Sequence, residues 1–147
     1  MNVVSTACAL IALTASTGFA QSLVGTWTCE RNTADAEAVS NVTFDDNGQL
    51  KALVNIDFLG HDQKVFAQAR YKSSYVFEDG KLSDTPISAA INAFTIDGAD
   101  AKKSDHAKRL QDSLLEDNAT SAKVLFTSDA YMILSPGKGA INCVRMP

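Results

Sequence analysis

The residues able to do chemistry are few, and their spacing argues against most of what they could do. His61 sits in a Gly-His-Asp turn and His106 at the start of a helical pattern. General acid–base or metal chemistry would need both brought together with a carboxylate such as Asp62 or Glu78. Nothing in the spacing does this, so two solvated surface histidines are the plainer reading. Cys29 and Cys143 stand at opposite ends of the chain, which suits a disulfide and not a zinc cluster. Ser73-Ser74 falls in a strand pattern, without the Gly-flanked turn that presents a nucleophilic serine. Asp45-Asp46-Asn47-Gly48 starts like a calcium loop but lacks the later ligands, and reads as a hairpin turn. We therefore expect no catalytic residue, no metal and no cofactor, and no enzyme activity.

What remains is a row of aromatic side chains that could contact an apolar molecule: Phe58, Tyr71, Tyr75 and Phe77. They must be held by strands. Leu50, Ala52, Val54, Ile56 and Phe58 recur every second residue, as do Val65, Ala67, Ala69, Tyr71, Tyr75 and Phe77. Period two places each set on one face of a strand. Asp46-Asn47-Gly48 and Asp79-Gly80 supply the positive φ that tight hairpins need. Leu82 to Ile96 continues as strand, with Ile87, Ala89, Ile91 and Ala93 expected on one face and Pro86 marking a break or an edge. Strands over 25–31 and 38–45 precede these, and strands over 124–127, 131–134 and 140–146 follow.

After Gly98 the period changes. Ser104 suits an N-cap, and Ala107, Leu110 and Leu114 follow at helical spacing, with Asn118 as the expected end. Eight strands and one helix without strand–helix alternation disfavour a parallel sheet. We expect an all-β fold in which the strands close into a barrel.

The 147 residues are 46% hydrophobic and 20% charged, as in globular chains. The net charge of −4 leaves no electrostatic footprint for nucleic acid. Residues 1–20 carry no charged side chain, are mostly apolar from Val3 to Leu13, and end in Gly18-Phe19-Ala20. This reads as a signal peptide cleaved after Ala20, too short and polar to span a membrane, followed by one domain over 21–147. Export to the periplasm or the extracellular space removes Cys8 and leaves Cys29 and Cys143 as an even pair, which an oxidising compartment bonds. If the first and last strands are antiparallel neighbours with these cysteines opposed, Trp27 falls opposite Arg145 on the same face.

Leu23-Val24-Gly25-Thr26-Trp27 resembles the opening strand of the calycin proteins: lipocalins, fatty-acid-binding proteins and avidins. The resemblance implies an eight-stranded antiparallel up-and-down β-barrel with an apolar cavity. It also implies a Trp that closes one end, with an Arg from near the barrel's end packed over it; Trp27 and Arg145 match. The chain departs from the pattern in three ways. It has no Thr-Asp-Tyr motif, its helix precedes the last three strands, and Trp27 is the only Trp, so biotin binding is not carried over. The repeated Ala residues on the apolar faces, at 52, 67, 69, 89 and 93, allow either a hollow barrel or a close-packed one. Two functions stay open: an exported barrel that binds a small apolar ligand through Phe58, Tyr71, Tyr75 and Phe77, or a filled barrel that binds an envelope protein, as a protease inhibitor does.

Overall fold

The computed structural model describes residues 21–116, 120–137 and 139–147. The expected signal peptide, the expected helix end at Asn118, and Lys138 lie outside the described residues. The strands are β1 (Gly25–Asn32), β2 (Ala36–Phe44), β3 (Gln49–Phe58), β4 (Val65–Glu78), β5 (Lys81–Ile96), β6 (Ala99–Asp100), β7 (Thr120–Ser128), β8 (Tyr131–Ser135) and β9 (Ile141–Arg145). Helix α1 (Asp105–Leu115) lies between β6 and β7. All neighbouring strands are antiparallel. Among the described residues, eight of them close a ring in the order β1, β2, β3, β4, β5, β7, β8, β9, with β9 returning to β1.

The closing seam has the register expected from the sequence. Cys29 opposes Cys143, Trp27 opposes Arg145, and Arg31 opposes Ile141. The two sulfurs are bonded, at 2.08 Å. The other seam is narrow, because β7 pairs with β5 only along Lys81–Asp84. Two turns show why Asp-Gly was informative. Asp79 and Gly80 both take positive φ, as do Asp97 and Gly98 between β5 and β6, and such turns match the twist of the strands they join.

Inside the ring, alternation holds along β4. Ala67, Ala69 and Ser73 are fully buried, Tyr71, Tyr75 and Phe77 half-buried, and Arg70, Lys72, Ser74, Val76 and Glu78 exposed. Along β5 it fails twice. Ile87 and Asn92 are skipped in the register with β4, so each is a bulge that resets the period by one residue. The expectation that Ile87, Ala89, Ile91 and Ala93 share a face is therefore corrected. Ile87 is 57% exposed, Ala93 opposes the outward Gln68, and Phe94 takes the inner position opposite Ala67. Pro86 adjoins the first bulge, just past the last β5 residue paired to β7, where a missing N–H costs no ladder bond.

The interior divides into two clusters. One is built on Trp27, Phe44, Leu50, Leu82, Met132 and the disulfide, with Tyr71, Tyr75, Phe77 and Phe126 packed against it. The other joins Ala67, Ala69, Ile91 and Phe94 to Ala107 of α1, with Leu110 and Leu114 beside it. Ala67 and Ala69 share the inner face of β4 with Tyr71 and Phe77. The helix thus packs on the concave side, where the long β4–β5 hairpin runs past the short strands β7 to β9. Small residues at 67, 69 and 107 let backbone approach backbone. Ser104 caps the helix, its hydroxyl accepting from the Ala107 N–H at 3.3 Å.

Candidate functional site

The Trp27 end of the ring is filled and tied shut. Trp27 is wholly buried, its indole N–H donating to the Leu23 carbonyl at 2.8 Å. The Arg145 guanidinium lies over the indole, 4.2 Å from the ring centroid. It also donates to three carbonyls, of Asp129 at 2.9 Å, Val24 at 2.7 Å and Ser22 at 2.7 Å. Gly25 has φ +130°, and a Cβ there would lie 2.6 Å from Arg145 Nη1, so both conformation and space demand glycine.

Three of the four aromatic candidates belong to this filled half. The Tyr71 hydroxyl donates to Asp84 Oδ2 at 2.6 Å and the Tyr75 hydroxyl to the Asp45 carbonyl at 2.7 Å. Tyr75 meets Phe44 edge-on, and Phe77 meets Phe126, which in turn packs on Trp27. Burial pushes the Tyr71 phenol well above its ordinary range, reinforced by the hydrogen bond and the charge of Asp84. The nearby Ser73 hydroxyl acts against that shift. Being fully buried, it is no accessible nucleophile. Burial also raises Tyr75, helped by the charges of Asp45 and Asp46.

Phe58 alone of the four lies at the other end, where the ring is open. It lines two clefts. One, about 530 Å³, runs beneath α1. Its apolar wall is Phe58, Val65, Phe94, Ile96 and Leu110, and its rim carries His61, Asp62, Gln63, His106, Arg109 and Ser113. The second, about 580 Å³, lies between Phe58, Ile56, Ala36, Ala38 and the β1–β2 turn, with Arg31 and Asp35 on its border. The rim loop is held by Asp97, whose carboxylate accepts from the Lys64 N–H at 2.9 Å and from Gln63 Nε2 at 3.3 Å.

The two histidines, distant in sequence, thus border one cleft together with Asp62. The sequence carried no signal for this, because α1 is placed by packing chiefly on β5, at Ile91 and Phe94, and over Ala67 and Ala69 of β4. Arg109 Nη2 lies 2.8 Å from His106 Nδ1. A guanidinium can only donate, so Nδ1 is the acceptor there. Among the described residues no three His, Cys, Asp or Glu converge as a metal site. No helix of the described residues is long and apolar enough to cross a membrane. The chain matches no family model and no curated protein.

Proposed function

We propose that this protein is an exported, calycin-like barrel that binds a small apolar ligand in the cleft at its open end, between α1 and the ends of β3, β4 and β5. The observation that carries the reading is the wall of that cleft: Phe58, Val65, Phe94, Ile96 and Leu110 form a continuous apolar surface under a polar rim. A concavity of this size, apolar within and polar at its margin, is what a small-molecule site requires. Transfer of the ligand's apolar surface out of water supplies the affinity, and the rim groups orient whatever polar end the ligand has. Export is supported by the Cys29–Cys143 bond, which persists in oxidising compartments. Of the four aromatic residues, this reading keeps Phe58 as a ligand contact and gives Tyr71, Tyr75 and Phe77 the task of filling the closed half.

The filled half favours the second reading, a protein-binding module, for that end of the molecule only. Native mass spectrometry of protein purified from an exporting host, with displacement of an apolar fluorescent dye, tests the choice. A small molecule bound at one per chain, and dye uptake abolished by Leu110→Asp but unchanged by Tyr75→Phe, is the expected result. Neither a bound molecule nor any dye uptake would leave the protein-binding reading.

A further inference from the structure

The outer surface of the ring is not uniform. Along most of β3 and β4 it is polar: Lys51 opposes Lys72, Leu53 opposes Arg70, and Asn55 accepts from Gln68, with the exposed Val76 opposite Ser83 near the end of β4. On β7, β8 and β9 it carries an apolar patch bounded by the exposed Lys123, Thr127, Ser135 and Asn142. Leu125 opposes Ile133 and Tyr131 opposes Val144, and Leu125, Tyr131 and Val144 are 61%, 53% and 42% exposed. Met146 extends the patch next to Val144. The inner face of the same strands holds Phe126, Met132, Leu134 and Cys143. Tyr131-Met132-Ile133-Leu134 is accordingly apolar at every residue, the pattern of a strand covered on both faces and not of one with a wet side.

We propose that a second copy of this chain covers this outer face, through a two-fold axis passing between Leu125 and Tyr131. The charges at the patch's two margins select that occupant. Lys123 lies beyond Leu125, with Ser135 and Lys81 opposite it in the register and no carboxylate. Asp129 lies at the other margin, in the turn beyond Ser128. A two-fold axis at the centre exchanges the margins, so each Lys123 faces the partner's Asp129 while the apolar rows face each other. A closed, self-complementary dimer results. The proposal does not depend on the ligand-binding reading, because the cleft under α1 lies on the concave side.

Sedimentation equilibrium of the purified chain over a wide concentration range tests it. The expected result is a monomer–dimer equilibrium that Leu125→Glu weakens by about tenfold or more, as loss of a central apolar contact does. Lys123→Asp should weaken it by about three- to fivefold, and adding Asp129→Lys should restore it. Unchanged circular dichroism in these exposed-site variants separates assembly from folding; Tyr131→Lys serves if Leu125→Glu fails to fold. A monomer at every concentration, a dimer indifferent to the face variants, or a face that captures only a different protein would overturn the proposal.

Discussion

At the scale of the residue, Arg145 does more than any other side chain. It combines a contact with the Trp27 ring, about 0.5–2 kcal/mol, with three charge-assisted bonds to carbonyls. Arg145→Ala should lower stability by about 2–4 kcal/mol and shift Trp27 fluorescence, measured together in urea unfolding. Arg145→Lys should rescue little, since an ammonium cannot reach three carbonyls in a planar fork. Gly25→Ala should mimic the loss, by driving a methyl group into that guanidinium. The two raised phenols make a separate prediction. In the unfolded chain tyrosine ionises near about pH 10. Above that pH the unfolded state binds fewer protons than the fold, which keeps Tyr71 and Tyr75 neutral. Stability should therefore be fully present below that pH and fall as pH rises beyond it. Unfolding midpoints across alkaline pH should flatten in Tyr71→Phe, Tyr75→Phe; an unchanged slope would show that other groups set it.

At the scale of the element, the helix and the two alanines beneath it form one unit. Ala69 is wholly buried and packs in the cluster that holds Ala107. Ala69→Trp should cost about 1–3 kcal/mol by overpacking and should displace α1 instead of filling the Trp27 end. Loss of helical signal in far-ultraviolet circular dichroism, with Trp27 burial retained, is the expected outcome. Ser104→Ala should cost about 1 kcal/mol through the lost cap, in thermal unfolding. The bulges at Ile87 and Asn92 belong to this scale too. They bend β5 and let it serve the narrow seam with β7 at one end and the helix at the other.

At the scale of the whole molecule, one covalent link reinforces the strand pairing that closes the ring. Cys29 and Cys143 are 114 residues apart in sequence and lie at the seam between first and last strands. By loop-closure entropy, a bond across so long a loop contributes about 4–5 kcal/mol through its constraint on the unfolded chain. Urea unfolding with and without reductant should show a loss of that order, and a thiol assay on denatured exported protein should find no free thiol. Two titratable thiols in that assay would mean the ring is closed by β1–β9 pairing alone.

The sequence by itself determined the local and the nearest-neighbour arrangements. Period two along β3 and β4, Asp-Gly and Asn-Gly turns, and the Ser104 cap are properties of adjacent residues, and each follows from backbone sterics. The opposition of Trp27 to Arg145 needed only one further assumption, that Cys29 faces Cys143, because register propagates along an antiparallel pair. Tertiary structure decided what depends on residues far apart. The bulges in β5 left no composition signal at Ile87 or Asn92, since both fit an ordinary strand. The aromatic row reads as one surface in sequence, yet α1 and the filled Trp27 end divide it, leaving Phe58 alone at a cleft. The two histidines share a rim only because a helix well downstream of His61 docks on β5 and over two small side chains of β4, a packing choice made by shape and buried area, which no pattern along the chain records.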